Sequence, residues 1–274
     1  MGGGLSLEIP DIAGAAATLT LDTGVPPGAK QLIWDEFFVS RGRGIDWAIH
    51  FPWARADTAV CVGITIGGTF VAALLVFRAP GASIAMVGCV CVDPAYRGHG
   101  LSGRMLDLAA ASLPRPDITH MLLWTGKPGI YKRSGFIVAT QELGILLRSH
   151  QAPFDVTVQL SPWPGGDVIG MIGLPPFATA GWQATTPTAR LIFADTPKGP
   201  ALLDQEGLPE DVLRAMFAAR PGDWSATLDA GHPLCRLAVA RGICRQETPG
   251  PVTMYRPLGE DLMPPAYVPP AFRI

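Results

Sequence analysis

A long stretch of the chain with a single charged residue limits the folds it can adopt. Arg78 is the only charged side chain among the 34 residues from Ala59 to Val92, although 16% of all 274 residues are charged. A run of this length is long enough to span a bilayer as a helix. However, Gly67-Gly68 divides it into stretches rich in β-branched and aromatic residues, a pattern typical of a β-hairpin. We therefore expect strands buried on both faces of a sheet, and no membrane span.

The charge balance and the cysteines exclude several classes of protein. Lys and Arg number 21 and Asp and Glu 23, a net charge of −2, whereas surfaces that bind nucleic acid or anionic membranes carry excess positive charge. Met1–Leu5 shows no basic stretch followed by an apolar core, so we expect no secretory signal. The five cysteines lack Cys-x-x-Cys spacing, which predicts buried thiols and no metal site. The Gly-, Ala- and Pro-rich composition is typical of a bacterial protein, and we expect it to be cytoplasmic.

Periodic patterns predict alternating strands and helices in both halves of the chain. In the first half we expect strands at Ala17–Leu21, Val62–Ile66, Thr69–Phe77, Ile84–Val92, Ile118–Thr125 and Phe136–Leu147, and helices at Ala29–Ser40, Gly100–Leu113 and Ile130–Ser134. In the second half we expect strands at Arg190–Ala194, Ala201–Leu203, Ser225–Leu228 and Val252–Arg256, and helices at Pro209–Ala219 and Pro233–Arg241. Pro and Gly residues between Ser149 and Gly166 indicate a linker, so we predict domains at 1–150 and 151–274, the second ending in an extended tail from Pro264.

A glycine-rich turn joins the predicted strand Ile84–Val92 to the helix that follows it. Gly98 and Gly100 allow successive backbone N–H groups to converge, and the start of the helix adds partial positive charge. Arg97 adds a formal positive charge beside them. The turn is therefore suited to bind a pyrophosphate.

Two nucleotide-binding motifs compete for the same turn. Gly98, Gly100 and Gly103 match the Gly-x-Gly-x-x-Gly dinucleotide fingerprint, so a nicotinamide-dependent enzyme stays open as an alternative. That fingerprint requires an acid at the end of the next strand, whereas Asp117 precedes it. A P-loop is excluded because Arg104-Met105 stands where Lys and then Ser or Thr are required.

The turn and a later segment together resemble the GNAT superfamily of acyl-CoA-dependent N-acyltransferases. The first motif of that family, Arg/Gln-x-x-Gly-x-Gly/Ala with its lead-in, matches Val92, Pro94, Tyr96, Arg97, Gly98 and Gly100, with Ser102 in the last position. The second, an apolar strand followed by Tyr-x-x-x-Gly-Phe, matches Tyr131 and Gly135-Phe136. The resemblance covers roughly residues 17–148.

The resemblance implies an α/β fold with a mixed, largely antiparallel sheet flanked by helices, and acetyl-CoA or another acyl-CoA as donor substrate without a metal. The cofactor-binding residues it implies are Cys91, Val92, Arg97, Gly98, His99, Gly100, Leu101 and Ser102. Tyr131 takes the position of the tyrosine that protonates the departing thiolate. A phenol with a pKa of about 10 can donate a proton to a thiolate of similar basicity.

The base that would deprotonate an amine acceptor is left open by the sequence. Many relatives carry a Glu on the strand before the turn, but Met86–Val92 contains no acid. The remaining candidates are Glu36, Asp46, His50 and His120, beside a water relay or an acceptor bound already neutral. Trp47, Phe51 and Trp53 are candidates to wall an acceptor pocket, with a place in the core as the alternative.

The second half resembles a degenerate copy of the first. Aligning Gly242-Ile243 with Gly135-Phe136 puts Ala238 in the place of Tyr131, and Asp204–Gly207 carries acids in place of a phosphate-binding motif. We therefore expect two GNAT-like units in tandem, of which the first transfers an acetyl group to a primary amine of a small molecule or peptide. The alternative is a non-catalytic regulatory protein that binds acyl-CoA.

Overall fold

The long stretch with a single charged residue forms three neighbouring strands of a large sheet. The computed structural model describes residues 4–39, 46–55, 59–79, 81–114, 117–148, 156–163, 173–260, 263–265 and 267–274. In these ranges the strands are β1 (Leu5–Ile12), β2 (Ala15–Thr23), β3 (Ala59–Ile66), β4 (Thr69–Phe77), β5 (Ile84–Val92), β6 (His120–Thr125), β7 (Ile137–Arg148), β8 (Gln159–Pro162), β9 (Ala180–Thr185), β10 (Ala189–Thr196), β11 (Gly199–Gly207), β12 (Asp223–Asp229) and β13 (Cys244–Pro257). The helices are α1 (Pro27–Phe37), α2 (Trp47–His50), α3 (Leu101–Ser112), α4 (Pro128–Lys132), α5 (Pro209–Ala219) and α6 (Pro233–Ala240).

The central strands are apolar on both sides because helices cover both faces of the sheet. Leu74 and Val76 of β4 pack in the cluster that includes Met105 of α3. Their neighbours Leu75 and Phe77 point the other way, into a cluster with residues of α1 and α2. This alternation confirms the buried sheet expected from the sequence. No helix in the described ranges has the length and apolarity needed to cross a membrane.

The strand order shows that the chain repeats one architecture twice. The sheet runs β1-β2-β3-β4-β5-β6-β13-β7-β12-β11-β10-β9-β8. Strands β2 to β5 and strands β8 to β11 are both antiparallel series. In each half a helix then connects to a parallel strand, α3 between β5 and β6 and α5 between β11 and β12. The expected mixed, largely antiparallel sheet with two GNAT-like units is therefore confirmed.

The two halves exchange their last strands. β13 from the second half lies between β6 and β7, and β7 from the first half lies between β13 and β12. The two exchanged strands pair with each other over most of their length, from Cys244↔Leu147 to Tyr255↔Ile137. The domain boundary predicted near residue 150 falls outside the described residues and stays a prediction, as does most of the linker Ser149–Gly166. Because of the exchange, each half completes the sheet of the other.

Most of the predicted elements form close to their expected bounds. The strand Ile84–Val92 and the helix Pro209–Ala219 match to the residue, and Phe136–Leu147 forms one strand, β7. The end of the first helix predicted at Ser40 lies outside the described residues. Three strands, β1, β8 and β9, have no counterpart in the sequence analysis. The tail contains a 3₁₀ turn at Pro270–Phe272 where an extended conformation was predicted, because Pro at the start of a turn is compatible with helical φ.

A buried ion pair joins β7 to the C-terminal segment. The Glu142 side chain is 0% exposed and that of Arg273 11%. The guanidinium of Arg273 donates to both carboxylate oxygens, at 2.8 and 2.5 Å, and the Thr253 hydroxyl donates to the same carboxylate at 3.2 Å. The guanidinium also lies over the Trp124 ring, 4.7 Å from its centroid. A bidentate pair of this kind is stable in a buried site only with both partners present.

We expect Glu142→Gln to lower the free energy of unfolding by about 3–5 kcal/mol, because it leaves the Arg273 charge buried without its partner. Chemical denaturation measures this loss. Glu8→Gln on exposed β1 is the matched control and should change the stability by less than about 0.5 kcal/mol. Adding Arg273→Met to Glu142→Gln should restore part of the stability. Equal stability of Glu142→Gln and the wild type would contradict the role of the pair.

Candidate functional site

A cleft opens where β5 and β6 part. The parallel pairing of the two strands extends from Ile84↔His120 to Met86↔Leu122 and stops there. At this point β5 contains a bulge: Cys91 pairs with Ala73 and Gly88 with Leu75, so two residues of β5 face one of β4. Cys89, in the bulge, has a φ of 52°, a left-handed conformation unusual for a residue with a side chain. The bulge bends β5 away from β6 and opens a cleft of about 940 Å³.

Backbone of both separated strands lines the cleft. Residues 87–92 of β5 and residues 123–127 at the end of β6 form its two sides. Neither segment pairs with the other strand in the part of the chain that the structure describes. Unpaired N–H and C=O groups therefore face the cleft and can pair with an extended amide-containing ligand, as an added strand would.

The start of α3 supplies N–H groups at one end of the cleft. Gly98 and Gly100 both have positive φ, 89° and 71°, which allows the chain to turn sharply into the helix. The first N–H groups of a helix have no intrahelical partner. Those of Leu101 and Ser102 lie at the cleft and, among the described residues, donate no backbone hydrogen bond within the turn. Together with the positive end of the helix dipole, they are suited to bind an anion.

Three cations and one carboxylate also line the cleft. Arg97 donates from Nε to the Val92 carbonyl at 3.0 Å and from Nη2 to Glu36 Oε2 at 2.6 Å. Lys127 and Arg133 flank the other side, at the two ends of α4. These last two residues were not predicted from the sequence, although Lys127 shortly precedes Tyr131 and Arg133 lies within the Tyr131 motif. The cleft is thus more positive than the chain as a whole.

The structure brings most of the predicted cofactor-binding residues together. Those that line the cleft are Cys91, Val92, Arg97, Gly98, Gly100, Leu101 and Ser102. His99 is exposed and is not among the lining residues. Its neighbours Gly98 and Gly100 contribute backbone rather than side chains, so the turn itself forms this end of the site.

Tyr131 lies in the same cleft, on α4. Its ring packs edge-on against Phe136, with centroids 6.1 Å apart. Burial raises the pKa of the Tyr131 hydroxyl above its usual value, against a smaller lowering by a hydrogen bond with Thr125. The phenol therefore keeps its proton throughout the neutral range and can donate it to a basic group in the cleft.

The four acid or histidine candidates for a base occupy different places. Glu36 lines the cleft but is ion-paired with Arg97. The Asp46 carboxylate accepts from the Ala48 N–H at 2.6 Å and so caps α2. His120 is buried at the far end of β6, with Nδ1 2.9 Å from the Thr119 hydroxyl. His50 lines a side cavity of about 240 Å³ next to the cleft.

Burial disfavours the reactive thiolate form of the cysteines near the cleft. Burial raises the pKa of Cys61 and of Cys89 to about 12, and it also raises that of Cys91. All three are free thiols that pack in the cluster beneath α1. Among the described residues, no three His, Cys, Asp or Glu side chains converge to hold a metal ion.

The equivalent place in the second half lacks the phosphate-binding turn. Only Leu208 separates β11 from α5, whereas the segment 93–100 separates β5 from α3. Pro209 has no N–H to donate, and Glu210 and Asp211 put negative charge in the first turn of α5. In addition, the Gln205 side-chain nitrogen lies 2.9 Å from His232 Nε2 across the gap between β11 and α6. This end of the second half is unsuited to a pyrophosphate.

Comparison with known proteins gives a family match within the first half of the chain. Residues 27–136 match the model of the acetyltransferase (GNAT) family. A comparison with curated proteins gives no match.

Solved structures with the same fold extend over both halves. A protein of Enterococcus faecalis V583, described as a probable N-acyltransferase, is 12% identical with a TM-score of 0.62, over 88% of this chain and 73% of its own. GCN5-related N-acetyltransferases from Kribbella flavida and Anabaena variabilis ATCC 29413 are 13% and 12% identical, with TM-scores of 0.56 and 0.55. They cover 86% and 88% of this chain, and 70% and 73% of their own. The likeness shows a shared fold, and the match to the acetyltransferase (GNAT) family covers residues 27–136.

Proposed function

We propose that the protein transfers an acyl group, most simply acetyl, from acyl-CoA to a primary amine of a small molecule or peptide. The observation that carries the proposal is the cleft between β5 and β6. It combines an anion site at the start of α3, unpaired backbone of β5 and a protonated phenol, Tyr131.

In this proposal the donor lies along the length of the cleft. The pyrophosphate of CoA is placed at the N–H groups of Leu101 and Ser102, next to the guanidinium of Arg97. Lys127 and Arg133 add positive charge for the remaining phosphate. The pantetheine amides pair with the unpaired backbone of β5, which directs the thioester toward the bulge at Cys89.

The reaction then needs three proton transfers. An acceptor R–NH₃⁺ loses one proton to a base, and the nitrogen lone pair of R–NH₂ attacks the thioester carbonyl carbon. The tetrahedral intermediate collapses as the C–S bond breaks, and its electron pair leaves with sulfur. Tyr131 Oη donates its proton to the thiolate, and the second proton of the nitrogen returns to the tyrosinate, so that the products are the amide and CoA–SH and the phenol is restored. Much of the acceleration comes from holding amine and thioester in contact.

A regulatory protein that binds acyl-CoA without turnover is the second candidate. It is favoured by the absence of an acid in the β5 segment Met86–Val92 and by the pairing of Glu36 with Arg97. Release of CoA thiol in the presence of amines separates the two candidates. For either one, the buried free thiols support a reducing compartment such as a bacterial cytoplasm.

Gly98→Ala should weaken CoA binding by about tenfold, as measured by calorimetric titration. At a φ of 89°, a Cβ raises the conformational free energy of the turn by about 1–2 kcal/mol. The turn of the unbound variant therefore adopts another conformation, and returning it to the original one reduces the free energy of CoA binding. Gly14→Ala is the matched control, because Gly14 has a φ of 80° with open space around it in the β1–β2 turn. Equal loss of CoA affinity in both variants, or in neither, would argue against the turn as the pyrophosphate site.

Tyr131→Phe should lower kcat by about 10²–10⁴-fold with little change in the KM for acyl-CoA, because the thiolate must leave without a proton. Release of CoA thiol measures the rate. Tyr255→Phe, on β13 and outside the cleft, should keep the wild-type rate. Because the pKa of Tyr131 is raised, the loss of its proton should affect the wild-type rate only above about pH 10. A Tyr131→Phe variant with the wild-type kcat would exclude the phenol as the acid.

A further inference from the structure

We propose that the side cavity beside the cleft binds the apolar part of the amine acceptor and that His50 Nε2 takes the proton of the ammonium. The proposal rests on the acyltransferase function above. It deepens that function by naming a substrate class, primary amines with an aromatic or branched aliphatic body, and a base.

The side cavity has the size and lining for a small apolar group. Its volume of about 240 Å³ lies below the usual range for drug-sized ligands. The rings of Phe38, Phe51 and Trp53 form one wall, and all three are at least 95% buried. Leu174 and the prolines that follow it form another wall. A polyamine or a sugar would leave its polar groups without partners against these surfaces, at a cost in binding free energy.

The side cavity continues into the cleft. Phe37 and Cys89 line both spaces. Cys89 belongs to the bulge that separates β5 from β6, which is where the backbone of β5 directs the thioester. An amine whose body fills the side cavity therefore holds its nitrogen at the junction with the cleft, in contact with the thioester.

The hydrogen bond of His50 determines which ring nitrogen is basic. Nδ1 lies 2.8 Å from the carbonyl oxygen of Leu174. A carbonyl oxygen only accepts hydrogen bonds, so Nδ1 carries a proton and donates it. The lone pair of the neutral ring is then on Nε2. The Leu174 N–H in turn donates to the Ile49 carbonyl at 3.0 Å, which fixes this loop against α2 and holds the tautomer.

Besides His50, the side cavity is lined by Arg273, Cys89 and Ile274, whose carboxylate is the other group there that can take a proton; the His50→Asn test below separates the two. Arg273 lines the same space, and its charge is taken up by the buried carboxylate of Glu142. Cys89 stays a neutral thiol because burial raises its pKa to about 12. On α2 itself, the Asp46 carboxylate is occupied by the Ala48 N–H. Histidine is the side chain that takes up and releases a proton near neutral pH.

In the proposed step, the N–H bond of the ammonium breaks, its electron pair stays on nitrogen and Nε2 binds the proton. The imidazolium then holds protons on both nitrogens and keeps its hydrogen bond to Leu174. It releases the proton to solvent after the amide has formed. The net reaction is that of acyl-CoA and ammonium giving amide, CoA–SH and one proton.

The test measures acetyl transfer by the full chain, wild type and His50→Asn, to 2-phenylethylamine and phenylhydrazine. Asparagine places an N–H donor where Nδ1 stands, so the bond to Leu174 is kept while the base is lost. We expect kcat with 2-phenylethylamine to fall by about 10²-fold. With phenylhydrazine, whose terminal nitrogen is already unprotonated at pH 7, we expect little change. His232→Asn, a histidine cap of α6 replaced by another good cap, is the matched control and should keep both rates.

Four outcomes would overturn the proposal. A wild-type rate of His50→Asn with 2-phenylethylamine would exclude His50 as the base, and equal losses with both acceptors would show a structural role instead. A higher kcat/KM of the wild type for ethanolamine or spermidine than for 2-phenylethylamine would exclude the apolar subsite. So would a preference for octanoyl-CoA over acetyl-CoA, because the side cavity would then hold the acyl chain. If the wild type binds CoA in a calorimetric titration but acetylates neither acceptor nor any other amine, the proposed function itself fails. This result is distinct from failure of the side-cavity proposal alone, in which the wild type still acetylates an amine.

Discussion

The parting of two parallel strands determines most of what this molecule can do. β5 and β6 share only three paired positions before a bulge at Cys89 turns β5 away. Because the bulge places a residue with a side chain at positive φ, it persists only where the surrounding structure holds it. Here the strand is held from the other side by β4 and covered by α1, and a Cβ added at Gly88 would lie 3.1 Å from the Ile274 carbonyl oxygen. The cleft is therefore a packed feature of the sheet.

The second half supports this site without repeating its chemistry. It supplies β13 next to β6, and its Arg273 ties the C-terminal segment to Glu142 of β7 in the first half. Its strands β11 and β12 are connected differently from β5 and β6. One residue separates β11 from α5, and α5 has acidic residues in its first turn. One half of the repeat thus keeps a turn suited to phosphate, while the other provides strands and one wall of the side cavity, at Leu174.

Local patterns predicted the elements well, and long-range pairing explains what they missed. Ile84–Val92 was predictable because burial on both faces removes charge, and α5 because Pro209 stands at its first position with Glu210 and Asp211 in its first turn. The exchange of β7 and β13 has no local signal, since it depends on residues about a hundred positions apart. β1 was missed although Leu5, Leu7 and Ile9 alternate with other residues, because it is a largely exposed edge strand and Pro10 within the run argues against a strand.

The residues of the candidate site also divide into those that carry a local sequence motif and those that only the fold brings together. The turn at Arg97–Ser102 and Tyr131 carry recognisable spacing, so the sequence located the cleft. The roles of Lys127 and Arg133 needed the fold, because only the position of α4 brings them to the cleft. The geometry of His50 depends on Leu174, 124 positions away, and the loop that carries Leu174 has no motif.

The stoichiometry of CoA binding tests the central claim most directly, because that claim assigns the donor site to one half of a repeated fold. Isothermal titration of the full chain with CoA should give one site per chain, and Gly98→Ala should weaken that site. Two equivalent sites would show that the second half binds the donor as well. No binding would show that the cleft between β5 and β6 has another ligand, and it would contradict the account.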